Sequence, residues 1–212
     1  MLLKGFLLIK NKIKVISIGF EKDIIFEITR NNKYVYEGYV SNENLNNNFN
    51  FFCNFNTLKK MISKYSELLI IISIGPPNIR KSIYSNYKKN LLTYVSPDAI
   101  VSKKAIIGKG TFVQSRSFIS DDVKIGKCCK INGGSHFCHD SSLGDFSDTS
   151  PSCFIGGNTK IGSEVYIGAN TSIRQNLKIN DNILIGMGSV VINNLDREGV
   201  YVGSPAIYKK SR

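Results

Sequence analysis

From Val95 to Val191 an apolar residue recurs at almost every sixth position. The beats are Val95, Val101, Ile107, Val113, Ile119, Ile125, Ile131, Phe137, Leu143, Thr149, Ile155, Ile161, Ile167, Ile173, Ile179, Ile185 and Val191, and 15 of these 17 are Val, Ile or Leu. The other 80 residues of the stretch contain only eight more. A helix repeats near 3.6 residues and a half-buried strand every two, so a period of six fits neither. It is the hexapeptide rhythm of a parallel β-helix, in which short flat segments turn a corner every six residues and stacked coils bury their beats on a common axis.

Two finer patterns agree. The residue two before each beat should sit at a corner with little room, and 13 of those 17 positions are Ala, Ser, Thr or Cys, among them Ala99, Ser135, Cys153 and Thr171. Glycine follows the beat at 108, 126, 144, 156, 162, 168 and 186, where a turning backbone gains from a missing Cβ. Ile107, Ile125, Leu143 and Ile161, each followed by Gly, are spaced by 18, one turn of a three-sided prism. The count never slips, which predicts about five coils without an inserted loop.

Before the coil the pattern changes. Lys14 to Gly19 reads as a buried strand, Asp23 to Arg30 as a helix with apolar residues at 24, 25 and 28, and Tyr34 to Val40 as a second strand. Thr57 is the expected N-cap of a helix through Tyr65. Glu67 to Ile74 is an aliphatic run ending at Gly75, as in a central parallel strand, and Pro76-Pro77-Asn78 opens another helix. Alternating strands and helices predict a small open parallel sheet with ligands at the carboxyl ends of its strands, after Gly19, Val40 and Gly75. The expected division is 1–92 for this α/β domain, 93–194 for the coil, and 195–212 for a cap and basic tail. Asn-rich 42–50 reads as a mobile loop.

The net charge of +12 invites nucleic acid, but Lys, Asn and Ile crowd the whole chain, no dense basic run occurs and no nucleic-acid motif is present. A basic surface equally suits small phosphate-bearing ligands. Cys53, Cys128, Cys129, Cys138 and Cys153 form no CxxC pair, and Cys129 and Cys153 fall at small corner positions, consistent with packing in a reducing cytosol. The opening stretch is broken by Lys4, Lys10, Lys12 and Lys14, which argues against a signal peptide or membrane span. The expectation is a cytoplasmic protein, with neither nucleic acid nor membrane as partner.

The only histidines are His136 and His139. His139 lies two residues past the beat at Phe137, and Asp140 follows it. A carboxylate beside an imidazole fixes its tautomer and raises its basicity. Asn132, one residue after the preceding beat, is placed to help position a substrate. His136 precedes a beat and reads as structural. A zinc site of the three-histidine kind is excluded by count, and no Ser near His139 has the setting of a nucleophile elbow. Direct transfer to an acceptor deprotonated by a base remains.

The chain carries the motifs Ile-Gly-Pro-Pro-Asn-Ile-Arg (74–80), Val-Ser-Pro-Asp-Ala (95–99), His139-Asp140, Ile-Gly-Ala-Asn (167–170) and Gly-Val-Tyr-Val-Gly-Ser-Pro-Ala (199–206). With them it resembles the sugar O- and N-acetyltransferases of the left-handed β-helix superfamily that carry an N-terminal Rossmann-like domain. These include sialic acid O-acetyltransferases and N-acetyltransferases acting on nucleotide-linked 4-amino-4,6-dideoxy sugars. The resemblance implies a left-handed helix, an exception to the usual crossover hand, a homotrimer, and acetyl-CoA as co-substrate in a groove between subunits. It implies that His139 is the general base and Asp140 its orienting partner, with no metal. Ala169, Met187 and the backbone around Gly157 match cofactor-lining positions. Asp148 falls where close relatives often carry a second His near the thioester. For the nucleotide sugar it implies Gly19, Lys22, Asp23, Ser41, Asn42 and Gly75. Relatives usually show a Gly-x-Gly-Gly-His type loop where this chain reads Gly19-Phe20-Glu21-Lys22-Asp23, and two acidic residues where it has Ser41 and Asn42. Three functions follow: an N-acetyltransferase of nucleotide-linked amino sugars, a sialic acid O-acetyltransferase, and a non-catalytic trimeric nucleotide-binding scaffold.

Overall fold

The structure is a computed structural model that describes residues 12–41, 51–65 and 67–212. The expected loop at 42–50 and the opening eleven residues lie outside these. The chain divides into two compact units, Met1–Ile74 and Gly75–Arg212.

The first unit runs β1 (Ile13–Ile18), α1 (Lys22–Arg30), β2 (Tyr34–Val40), β3 (Phe51–Cys53), α2 (Phe55–Lys64) and β4 (Leu69–Ile72). Its strands form one parallel sheet in the order β3-β2-β1-β4. Val15 to Ile18 and Ile70 to Ile72 are buried, as aliphatic runs covered on both faces require. The apolar stripe of α1 buries Ile24, Ile25 and Ile28. Two expectations need correction. Helix α2 begins before Thr57: the Asn54 side chain accepts from Thr57 N at 2.9 Å, and Asn is the stronger cap. Strand β3 was not foreseen, because three residues carry no readable alternation.

The second unit opens with α3 (Pro77–Tyr87) and then winds into a parallel β-helix. Each coil strand is two residues long and pairs with the strand 18 residues on. One face stacks Tyr94, Phe112, Lys130, Asp148, Tyr166 and Leu184. The next stacks Ile100, Phe118, His136, Phe154, Ser172 and Val190. The third stacks Ile106, Lys124, Ser142, Lys160 and Lys178. These are sheets of eight, six and five strands, an arrangement that fits a left-handed β-helix. The stacked residues point outward. The following beat points in, and every beat from Val113 to Val191 is buried. The polar exception, Thr149, is satisfied inside: its Oγ1 donates to Ser135 Oγ at 3.1 Å, and Ser135 Oγ donates to the Ser150 carbonyl at 3.2 Å.

The corner glycines serve a purpose other than the expected one. A Cβ on Gly108 would lie 2.4 Å from the Gly126 carbonyl carbon, one on Gly144 2.5 Å from that of Gly162, and one on Gly168 2.4 Å from Met187 N. These residues admit the backbone of the next coil. The left-handed conformation falls two positions later, at every sixth residue from Gly110 to Gly188, with φ between 52° and 76°. Asn and Gly fill many of these sites, but Arg116, Cys128, Phe146 and Glu164 also occupy them against their intrinsic preference. The eight-stranded face ends in a hairpin: Ile183–Ile185 pairs with Gly199–Val202, which pairs antiparallel with Ile207–Lys210. The compact division at Ile74 differs from the expected one at 92 by α3 and the segment after it. Arg80 of α3 is inserted into the coil's own hydrogen bonding, which is the physical reason α3 belongs with the coil.

Candidate functional site

His139 stands at the corner between the six-stranded and five-stranded faces. Its Nδ1 donates to Asp140 Oδ2 at 2.9 Å, and its side chain is 63% exposed. A carboxylate only accepts, so this bond puts the proton on Nδ1 and leaves the Nε2 lone pair for an incoming proton. Asp140 is held on both sides of its side chain. Its N–H donates to the Asp121 carbonyl at 3.1 Å, and its own carbonyl accepts from Lys160 Nζ. Its φ of 59° turns the backbone so that its carboxylate returns to the preceding residue's ring. On the next coil Gly157 lies against the imidazole: a Cβ there would stand 3.0 Å from both Cε1 and Nε2. The His139 carbonyl accepts from Asn158 N at 3.0 Å, which ties the two coils together at this point.

Asn132, Ala169 and Met187 occupy a different corner, between the eight-stranded and six-stranded faces. Gly188 N donates to the Ala169 carbonyl at 2.7 Å, so Ala169 and Met187 stack on successive coils, and Met187 is 76% exposed. Within one chain the six-stranded face therefore separates these residues from His139. That face carries outward Ile100, Phe118, His136, Phe154 and Val190, with Ile100 67% and Phe154 44% exposed. His136 sits between Phe118 and Phe154, ring centroids 4.5 and 5.5 Å away, the packing residue its position suggested.

Asp148 belongs to neither corner. It points out from the eight-stranded face and is paired with Arg80, which is only 1% exposed. Arg80 Nη1 donates to Asp148 Oδ1 and, at 3.1 Å, to the Cys128 carbonyl; Nη2 donates to the Phe146 carbonyl at 2.5 Å. Burial raises the Asp148 carboxyl above its ordinary range, outweighing the opposing attraction of Arg80. The buried guanidinium at position 80 escaped the sequence reading, although Ile-Arg closes one of the quoted motifs, because a lone Arg on a helix gives no sign of burial. Around this pair lies a cavity of about 280 Å³, also lined by Gly75, Pro76, Pro77, Lys130, Phe146, Tyr166 and Leu184.

In the first unit, Gly19 ends β1 with φ 89°, and a Cβ there would fall 2.1 Å from the Ser73 carbonyl oxygen, so only Gly fits. Ser73 Oγ accepts from Glu21 N at 2.6 Å, and Ser17 Oγ donates to the Gly19 carbonyl at 2.9 Å. These two serines, which tie down the loop after β1, were not singled out from sequence. Lys22 and Asp23 begin α1 and are exposed. Ser41 N pairs with the Cys53 carbonyl at 3.3 Å, and Asn42 lies outside the described residues. Among the described residues no group of three His, Cys, Asp or Glu could hold a metal ion, and no helix is long and apolar enough to cross a membrane.

No protein-family model matches the chain. Solved structures do. The perosamine N-acetyltransferase PerB of Caulobacter crescentus, captured with CoA and GDP-perosamine, is 21% identical, with TM-score 0.83 over 93% of this chain and 97% of that one. The acetyltransferase domain of PglB from Neisseria gonorrhoeae, in complex with acetyl coenzyme A, is 24% identical, with TM-score 0.86 over 93% of this chain and all of that one. WeeI from Acinetobacter baumannii is 24% identical, with TM-score 0.77 over 92% and 99%. The likeness establishes the fold: an N-terminal α/β unit joined to a hexapeptide-repeat β-helix.

Proposed function

We propose that the chain is an acetyl-CoA-dependent N-acetyltransferase acting on a nucleotide-linked 4-amino-4,6-dideoxy sugar. The observation that carries this is the His139-Asp140 pair on an open corner, its Nε2 lone pair directed by the Nδ1 bond. The solved structures that share the fold include one holding CoA with GDP-perosamine and one holding acetyl coenzyme A, which supports the donor and the acceptor class. In this reading the amine nitrogen attacks the thioester carbonyl carbon, the N–C bond forms and the C–S bond breaks. His139 Nε2 takes the amine proton and returns it to the departing sulfur, giving an acetamide and the CoA thiol. The first unit, read as a Rossmann-like domain, binds the nucleotide through the loops after β1 and β2.

The working form is a homotrimer in the cytoplasm. Three copies packed through their six-stranded faces would cover the exposed Ile100, Phe154 and Val190. The same packing would set the Ala169–Met187 corner of one copy beside the His139 corner of the next, where acetyl-CoA would lie. The test is a thiol-release assay with acetyl-CoA against dTDP-, UDP- and GDP-linked 4-amino-4,6-dideoxy sugars and free sialic acid. The expected result is turnover on a nucleotide-linked amine, lost at least 100-fold in His139→Ala while sedimentation and acetyl-CoA binding hold. Unchanged turnover in that variant refutes the base; turnover on sialic acid alone refutes the amine; absence of acetyl-CoA binding refutes the enzyme.

A further inference from the structure

The regular hydrogen bonding of the coil leaves one main-chain group out at every corner. From Cys128 to Gly188 the N–H of each left-handed residue donates to a carbonyl of the coil before, at 2.7–3.3 Å. The carbonyl of that same residue takes no main-chain donor among the described residues. Four of these carbonyls are taken by side chains instead, and all the donors are cations. Arg80 takes Cys128 and Phe146, Arg212 takes Glu164, and Lys160 takes Asp140. The first three carbonyls share the corner between the five-stranded and eight-stranded faces, where Arg80 and Arg212 fasten α3 and the last residue to the coil. Lys160 fastens nothing of that kind, because its own strand is already paired on both sides. The carbonyl it takes belongs to the residue that orients His139.

The other corners of that column give the comparison. Asp122, Asn158 and Asn176 are left-handed like Asp140, with φ of 60°, 57° and 61°. None of their carbonyls takes a cation among the described residues. Lys178 follows Asn158 by 20 residues, as Lys160 follows Asp140, yet makes no such bond. A lysine at this place is therefore not sufficient, and the bond falls at the one corner of the column that carries a histidine. The Asp140 segment is then held from every side: Asp140 N by the Asp121 carbonyl, the His139 carbonyl by Asn158 N, and the Asp140 carbonyl by Lys160. Cβ and the carbonyl carbon leave the same Cα, so pinning the carbonyl also fixes the direction in which the side chain departs. A left-handed residue other than Gly needs such support, and a charged donor gives a stronger hydrogen bond than a neutral one. We infer that Lys160 is a positioning residue for His139, its ammonium on the Asp140 carbonyl keeping the Asp140 carboxylate on His139 Nδ1. Without it the carboxylate drifts from the ring, the proton is shared between the two nitrogens, and the Nε2 lone pair is present for less of the time. The effect on turnover rests on the reading of His139 as the base.

The experiment compares Lys160→Met, Lys160→Arg and Lys178→Met. The His139 ring nitrogens, assigned by their loss in His139→Ala, are read by nitrogen NMR at neutral pH. Wild type and Lys160→Arg should show the Nδ1-protonated ring, and Lys160→Met a mixture of the two tautomers. In thiol release Lys160→Met should lose roughly tenfold in kcat with KM within about twofold. Lys160→Arg should recover most of that loss, and Lys178→Met should match wild type. All three should melt near wild type, since an exposed lysine contributes little to overall stability. In a His139→Ala background Lys160→Met should cost nothing further. Ring nitrogens that Lys160→Met leaves unmoved overturn the inference. So does an unchanged kcat where His139→Ala is inactive, a loss confined to KM, which would make Lys160 a substrate contact, or a loss shared by Lys178→Met. If His139→Ala keeps full turnover, the base reading fails and the ring nitrogens alone decide on Lys160.

Discussion

Gly157→Ala is the sharpest perturbation the structure offers. Its φ lies outside the left-handed region, so alanine is compatible with the backbone and should stabilise by about 0.4–1 kcal/mol through the unfolded chain. The new methyl, however, lands 3.0 Å from both Cε1 and Nε2 of His139, where ordinary van der Waals contact needs 3.4 Å or more. The imidazole is 63% exposed and can yield, so it swings outward instead of forcing the coil apart. A shift of about half to one ångström in a base costs ~10–100-fold in turnover. Expected, then, are a melting temperature at or above wild type, a 10–100-fold fall in kcat, and a moved His139 ring signal by NMR. In a His139→Ala background Gly157→Ala should cost nothing further, because the only group it displaces is gone. Turnover within twofold of wild type, or an unmoved ring signal, refutes the reasoning.

Three further outcomes follow from the coil. Arg116 is exposed at φ 59°, and Arg116→Asn should stabilise by about 0.5–1 kcal/mol, read as a rise of roughly 1–4 °C in melting temperature. Gly144→Ala places a methyl 2.5 Å from the Gly162 backbone, which cannot swing aside, so the folded yield or melting temperature should collapse where that of Gly157→Ala does not. Burial pushes the Cys128 and Cys129 thiols up to about 12, and Cys53 and Cys153 up to about 11. At pH 8 the thiolate fraction is then about 10⁻³ or less, and raising the pH towards these values increases it. Native protein should react slowly with a thiol reagent at pH 8, the half-buried Cys138 first, whereas denatured protein should give all five thiols at once; fast native labelling of four sites refutes this.

The coil was legible because a β-helix writes its fold into one residue in six. Nearly every beat is apolar whichever face it lies on, so the constraint repeats without regard to function, and 18-residue pairing follows from it. The His139-Asp140 pair was legible for a local reason: two adjacent residues can form the bond that orients the ring. What stayed hidden needed partners far apart in sequence. Arg80 meets carbonyls and a carboxylate 48 to 68 residues away, so a surface helix and a buried cation look alike from the sequence. The corner glycines were recognised but misread, since a tight turn and a close neighbouring coil both exclude Cβ, and only coordinates tell them apart. In the first unit Asn54 was passed over for Thr57, because Asn, Phe and Asn around it give no hydrophobic period from which to count.

The same geometry explains why the chemistry sits at corners and on outward positions while the beats carry none. From Val113 to Val191 a beat side chain is buried and, Thr149 apart, apolar; an outward residue two or three positions on is free to vary, and 18 residues bring it under the corresponding residue of the next coil. Columns of unlike chemistry can therefore evolve side by side on one rigid prism: lysines on the five-stranded face, an apolar stripe on the six-stranded face, and a buried ion pair on the eight-stranded face. His139 and the Ala169–Met187 column fall on the two edges that border the apolar stripe. A groove using both edges cannot close within one chain, because the stripe lies between them. It closes only where a second copy covers that stripe, which makes assembly part of the proposed chemistry. Ile100→Asp with Phe154→Asp should accordingly abolish turnover at the concentration where sedimentation shows monomer, and leave the coil's circular dichroism intact. A fully active monomer would separate assembly from catalysis and sink the inter-subunit groove.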